Sequence, residues 1–301
     1  MASVTATSPT EQRTRLNDGR ILGFAEYGDP NGKPVLEFHG WPSSRLEAAI
    51  YNEAARKVGA RVIGIDRPGF GLSTFKKGYR IIDWPRDVTE FADGLGLDRF
   101  AVAGISSGCP YALACANMIP ERLTACAVVG GLAPLKVPGE KISPEEFIEK
   151  SEFQIARLAN TVPFAARLIF GYFVRQSKKD PVKARQQFLK GLPESDVKVL
   201  EDEELQEQFE ENMAECTRGG MKGPIASVGL EVKPWGFRLE DVKMHVAIWQ
   251  GDEDTLARPA GAAYMASKLP NHTLHTIAGS GHMATIFNET ESVLRELLSA
   301  T

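Results

Sequence analysis

Three kinds of side chain with the chemistry for acyl transfer lie far apart in this chain: a serine, a histidine and a group of carboxylates. Ser106 is the centre of Gly104-Ile105-Ser106-Ser107-Gly108, the G-x-S-x-G pattern of a sharp turn that lifts a serine hydroxyl between a strand and the helix behind it. Glycine at both ends suits a strained turn where strand and helix approach closely, because a Cβ would clash there. A serine hydroxyl attacks a carbonyl only when a base takes its proton. His282, in Gly279-Ser280-Gly281-His282-Met283, suits that work: imidazole, with an ordinary pKa of about 6.5, accepts a proton and returns it near neutral pH. Trp249-Gln250-Gly251-Asp252-Glu253-Asp254 offers three carboxylates to orient such an imidazole and stabilise its cation. His245, His272 and His275 form no metal-ligand spacing such as H-E-x-x-H, and there is no Gly-rich phosphate loop, so neither a metal nor a cofactor is expected.

The elements that must position these groups are legible as alternating β and α signals. Arg20 to Tyr27, Pro34 to Phe38, Ala60 to Ile65, Arg99 to Gly104 and Leu123 to Val129 are short apolar runs that predict strands. Between them, Glu47 to Val58 predicts a helix. Trp84, Val88, Phe91 and Leu95 recur at helical spacing, which predicts a helix with that stripe on the sheet and Arg86, Asp87 and Glu90 in water. Pro110 to Met118 is apolar on nearly every side and should be a buried helix. This alternation argues for a mostly parallel sheet flanked by helices. From Ala133 to Leu239 the character changes to charged helical stretches, such as Pro144 to Leu158 and Pro181 to Gln206, with no strand signal. Strands return at His245 to Gln250 and His272 to Ile277. A final amphipathic helix places Val293, Leu294, Leu297 and Leu298 on one face, and His282 falls in the flexible loop before it.

Composition bounds the partners. The chain of 301 residues, 43% hydrophobic and 25% charged, is long enough for a substantial core. Its 35 basic against 39 acidic residues give a net charge of -4, which offers nucleic acid no electrostatic handle. Four scattered cysteines, Cys109, Cys115, Cys126 and Cys216, predict free thiols in a reducing compartment and a cytoplasmic location. The first ten residues hold no apolar stretch resembling a secretory signal. The longest apolar cluster, Phe164 to Val174, is interrupted by Arg167 and Gly171 and falls short of the ~20 residues of a membrane span. A small-molecule substrate is the expected partner, with no nucleic acid, no membrane span and room for a homodimer.

His39-Gly40-Trp41-Pro42 and Asp66-Arg67-Pro68-Gly69-Phe70-Gly71-Leu72-Ser73, added to the serine turn, make the chain resemble the α/β-hydrolase superfamily, in its cofactor-free, lid-bearing branch, over nearly the whole length. The resemblance implies a hydrolase core formed by residues 1–132 and 240–301, with an inserted helical lid over 133–239. It implies Ser106 as nucleophile, His282 as base and, three positions after Gly251, Asp254 as the acid, with Asp252 as the alternative. The order serine, acid, histidine agrees with that fold. By the same analogy the N–H groups of Trp41 and Ser107 form an oxyanion hole, and His39 braces the loop by hydrogen bonding.

Within the family, haloalkane dehalogenases and epoxide hydrolases attack with Asp where this chain has Ser106, so acyl transfer is favoured over their alkyl-enzyme chemistry. Cleavage of an ester, thioester or lactone of a small apolar substrate is the first expectation. Carbon-carbon hydrolysis is the second, weakened because Met283 stands where many such relatives carry tryptophan. An aminopeptidase of the proline iminopeptidase kind would need lid carboxylates such as Glu145, Glu146 or Glu149 to grip a free amine. Other members of the superfamily bind ligands as receptors or act as lyases and cyclases. From the lid, Phe164, Phe170, Tyr172, Phe173 and Trp235 are expected to line an apolar acyl pocket, together with Met283.

Overall fold

The computed structural model describes residues 5–6 and 8–299. Its nine strands are β1 (Thr5–Ala6), β2 (Gln12–Arg15), β3 (Ile21–Gly28), β4 (Lys33–Phe38), β5 (Ala60–Ile65), β6 (Phe100–Ile105), β7 (Leu123–Val129), β8 (Val246–Gly251) and β9 (His272–Ile277). They form one sheet in the order β1-β2-β3-β5-β4-β6-β7-β8-β9. Pairing is antiparallel from β1 to β5 and parallel from β5 to β9. All six residues of β6 and of β8 are buried, as expected for parallel strands covered on both faces.

The first helices are α1 (Asn52–Val58), α2 (Trp84–Gly94) and α3 (Cys109–Met118). Between β7 and β8 come α4 (Lys150–Thr161), α5 (Pro163–Lys179), α6 (Pro181–Leu189), α7 (Glu194–Val199), α8 (Glu203–Cys216) and α9 (Lys222–Glu231). After β8 follow α10 (Pro259–Lys268), α11 (His282–Asn288) and α12 (Thr290–Ser299). Alternation along the strands separates two cores. On one face Val102 and Ile248 pack with Trp84, Phe91, Leu113 and Met265 of α2, α3 and α10. On the other Ala101, Ala103 and Trp249 pack with Ala55, Val293, Leu294 and Leu297 of α1 and α12.

Several expectations need correction. Asp87 does not face water: it is 2% exposed, and its carboxylate accepts two 2.6 Å hydrogen bonds from the Arg20 guanidinium and a 2.8 Å bond from the Tyr79 hydroxyl. A bidentate cation makes that burial tolerable. The stretch from Pro181 to Gln206 is three helices rather than one. Pro193 stands immediately before α7, and Asp202 caps α8 by accepting from the Leu205 N–H, so each supplies a helix start where continuity was expected. The edge strands β1 and β2 escaped the pattern reading, being short and largely polar. Among the described residues no helix is long and apolar enough to cross a membrane.

Candidate active site

Ser106 sits at the junction of β6 and α3, in a single tight turn covering Ser106–Gly108. Its φ of +50° makes it the one non-glycine residue with positive φ among the described residues. That strained backbone, of order 1–3 kcal/mol, persists because the packing around it leaves no alternative. A Cβ on Gly108 would lie 1.8 Å from the Phe38 carbonyl oxygen, and one on Gly104 2.8 Å from the Gly108 oxygen. The two glycines are therefore required by contact with β4 and α3.

His282 is the first residue of α11, a correction to its expected place in a loop, which ends one residue earlier. Both it and Asp254 are buried, and His282 Nδ1 lies 2.7 Å from Asp254 Oδ2. Asp254 is itself fixed: Oδ1 accepts 2.9 Å bonds from the N–H groups of Leu256 and Ala257, and Oδ2 accepts from the Gln250 side-chain amide at 3.1 Å. These bonds hold the carboxylate on Nδ1 and leave Nε2 as the ring nitrogen open to chemistry. Asp252 is exposed and accepts from the Gly279 N–H at 2.7 Å, so it shapes the turn and does not touch the imidazole. Burial disfavours the imidazolium, but the charge and hydrogen bond of Asp254, with the charges of Glu152 and Asp196, outweigh it and push the His282 pKa up to about 9.

Ser106 and His282 line the same cavity, which encloses about 970 Å³ of empty space including its open mouth. The Ser106 hydroxyl has no hydrogen-bond partner among the described residues, so serine and imidazole share the space without a direct bond. Bonds of this kind commonly tighten only when substrate is present. Trp41, Ser107 and Met283 line the cavity too.

The loop carrying Trp41 is braced from behind. The Gly40 carbonyl accepts from Arg67 Nη2 at 2.7 Å and pairs with His39 Nδ1 at 2.8 Å, while Arg67 Nη1 donates to the Ser107 carbonyl at 3.1 Å. The Gly40 carbonyl belongs to the same peptide unit as the Trp41 N–H, so a cation on its oxygen polarises that N–H as a donor. Glu47 fixes the loop further by accepting the Gly40 N–H at 2.7 Å. Burial and the neighbouring Arg67 hold His39 well below the usual histidine range, and its Nε2 accepts the Arg67 N–H at 3.2 Å. His39 is thus a neutral brace.

The aromatic lining is different from that expected. Trp235 is 4% exposed and packs on Phe237, ring centroids 5.8 Å apart, within the same core cluster as residues of α2 and α3 and not in the cavity lining. Tyr172 and Phe173 are 59% and 58% exposed, and Phe164 is exposed as well. Phe170 packs on the Trp41 ring at 5.1 Å without lining the cavity. Helix α5 carries apolar residues around its circumference, and only some can face inward. The segment between β7 and β8 lines the cavity instead with Ile148, Glu152, Phe188, Gln208, Phe209 and Asn212.

Three acidic residues of this neighbourhood were missed. Glu231 accepts the Ser107 hydroxyl at 2.7 Å, and burial, with the charge of Glu152 adding to it, pushes its pKa up to about 8. Glu152 is pushed up to about 7, chiefly by burial. Asp196 caps α11: its carboxylate accepts the N–H groups of His282 at 3.0 Å and Ala284 at 2.8 Å, and Ser195 Oγ accepts the Gly281 N–H at 3.0 Å. Ser195-Asp196 is visible as a pair of capping residue types, but nothing local says that they cap a helix 86 residues away.

Known proteins agree with this architecture. Residues 33–289 match the family model of the alpha/beta hydrolase fold. The chain is 33% identical over 108 residues to epoxide hydrolase B of Mycobacterium tuberculosis, covering 35% of this chain and 30% of that protein. It is 30% identical over 122 residues to proline iminopeptidase of Xylella fastidiosa, covering 38% and 37%. The alignments thus span about a third of the length of these curated relatives. Among solved structures, bromoperoxidase from Bacillus anthracis superposes with a TM-score of 0.70 at 21% identity, covering 99% of this chain and 100% of that one. An esterase from Exiguobacterium antarcticum superposes with a TM-score of 0.67 at 19% identity, covering 95% and 98%. At these identities the likeness concerns the fold, and with the family match it shows that the chain belongs to the alpha/beta hydrolase fold family.

Proposed function

We propose that the protein is a serine hydrolase that cleaves an ester, thioester or lactone of a small, mainly apolar substrate through an acyl-enzyme. The observation that carries this reading is the strained Ser106, φ +50°, facing one cavity with the imidazole that Asp254 holds by Nδ1. In the proposed cycle His282 Nε2 takes the Ser106 proton as Oγ attacks the carbonyl carbon. The N–H groups of Trp41 and Ser107 receive the developing oxyanion. Collapse of the tetrahedral intermediate breaks the bond to the leaving group, which takes the proton from His282. Water then repeats the sequence on the acyl-enzyme, releasing the acid and restoring the serine. An alkoxide or thiolate departs with little further assistance, which favours these bonds over amides. The segment 133–239 acts in this reading as the lid whose side chains select the acyl group.

A second reading is supported by Glu152. This carboxyl lies in the cavity with Ser106, where a substrate ammonium would neutralise it and favour its ionised form. An aminoacyl substrate is therefore the alternative, with Glu152 in the role first sought among Glu145, Glu146 and Glu149. A panel of p-nitrophenyl esters, lactones and aminoacyl anilides, run with the unmodified chain and Ser106→Ala, tests both. Ester turnover lost in the variant supports the first reading, and preference for aminoacyl anilides supports the second. Equal turnover of both chains would refute the nucleophile.

A further inference from the structure

A second cleft, sharing no lining residue with the Ser106 cavity, opens where the loop after β5 meets α4 and α9, and encloses about 740 Å³ of empty space including its mouth. Its location follows from a close backbone contact: a Cβ on Gly69 would lie 2.7 Å from Gly223 Cα, so the loop carrying Arg67 is seated directly on α9. Among the described residues three cationic side chains line the cleft, Arg67, Lys76 and Lys233, and no carboxylate does. In a chain of net charge -4 this is a marked local reversal.

The cations differ in how they are engaged. Arg67 is 2% exposed; both terminal nitrogens are bonded to the loop carbonyls, and among the described residues its Nε has no hydrogen-bond partner. Among the described residues Lys76 forms an ion pair only with the exposed Asp18, at 3.3 Å. Lys233 is exposed and has no ion pair among the described residues. Phe70, Phe75, Tyr79 and Tyr111 complete the wall, and the Arg67 guanidinium lies 5.0 Å from the Phe70 ring centroid and 4.8 Å from that of Tyr111. An aromatic wall with cations and no acid among its described lining residues suits a planar apolar body carrying one negative charge.

We propose that this cleft is a binding site for a small aromatic carboxylate, separate from the reaction cavity. The anion faces Arg67, Lys76 and Lys233, and its ring packs among the phenylalanines and tyrosines. Because Arg67 also holds the Gly40 and Ser107 carbonyls, an occupant of the cleft is one side chain away from the loop that carries Trp41.

Isothermal titration of the full chain with benzoate tests this, with benzamide as the neutral isostere. Saturable benzoate binding is expected, weaker at high salt. In Lys76→Ala/Lys233→Ala the affinity should fall about tenfold or more, since each removes a charged partner. Both lysines are surface residues, and Lys233→Glu alone, checked by an unchanged melting temperature, should weaken binding as well. Absence of benzoate binding, equal binding of benzamide, or unchanged affinity in the folded variants would each overturn the proposal, the last by locating the anion elsewhere.

Discussion

The backbone N–H of His282 donates to the buried carboxylate of Asp196 at 3.0 Å, so a residue from the helices between β7 and β8 holds the first turn of the helix that begins with the imidazole. The second oxygen of the same carboxylate receives the Ala284 N–H at 2.8 Å, and the pair of bonds fixes the pitch at which α11 leaves Gly281. The position of the proposed base therefore depends on α7 as well as on β8 and its loop.

Asp196→Asn tests that dependence. The amide accepts at one oxygen only and turns an N–H toward another donor, so loss of the cap should cost about 1 kcal/mol of stability. Misplacement of the imidazole should also lower kcat/KM, by about tenfold. The Asp196 charge helps to raise the His282 pKa, so the acid limb of the rate profile should move to lower pH in this variant, which a purely structural loss would not do. Thermal melting and pH profiles, measured together, separate the two effects.

The pH dependence of the unmodified enzyme follows from the same charges. A base must be neutral to accept the serine proton, and a folded pKa raised to about 9 keeps His282 protonated at neutral pH. kcat/KM should therefore rise through neutrality, with its midpoint near pH 9, and level off above that. Glu152→Gln removes one of the negative charges that hold the proton, so the limb should shift toward lower pH. Profiles of both proteins with one ester check the direction.

The acid assignment is open to a direct comparison. Asp254→Asn removes the acceptor 2.7 Å from Nδ1, while Asp252→Asn alters only the bond to the Gly279 N–H. The first should lower kcat by about 10⁴, as the wrong tautomer does elsewhere, and the second by only a few-fold. Steady-state kinetics on the two variants give the ranking.

Arg67→Lys probes the bracing of the loop proposed to carry the oxyanion donor of Trp41. An ammonium cannot reproduce the planar fork that joins the Gly40 and Ser107 carbonyls, so kcat should fall about tenfold with a smaller change in KM.

How far this could be foreseen depended on whether each signal was local. Ser106 announces itself through its flanking glycines, and the structure supplies the reason in the 1.8 Å approach that a Cβ at Gly108 would make to Phe38. The parallel strands were readable because burial on both faces leaves continuous apolar runs. Asp254 and Asp252 are the same residue type two positions apart, and only the resemblance favoured Asp254; the structure gives the physical reason, since Asp254 is buried and held toward the ring by the amides of Leu256, Ala257 and Gln250 while Asp252 is exposed. The segment between β7 and β8 was the least legible. Its helices are amphipathic toward one another as well as toward the cavity, so the aromatic richness of α5 gave no direction, and Glu152 and Asp196 resembled solvated charges. Asp87 was misread for the same reason: its Arg20 partner lies 67 residues away.

The central claim is that Ser106 forms a covalent acyl intermediate. Rapid quenching of the enzyme during turnover of a slowly deacylated p-nitrophenyl ester, followed by peptide mass analysis, measures it directly. The account predicts one acyl mass on the peptide containing Ser106, with a matching burst of p-nitrophenol, and neither in Ser106→Ala. Steady turnover with no acylated Ser106, or an acyl group on another side chain at the burst stoichiometry, would contradict it.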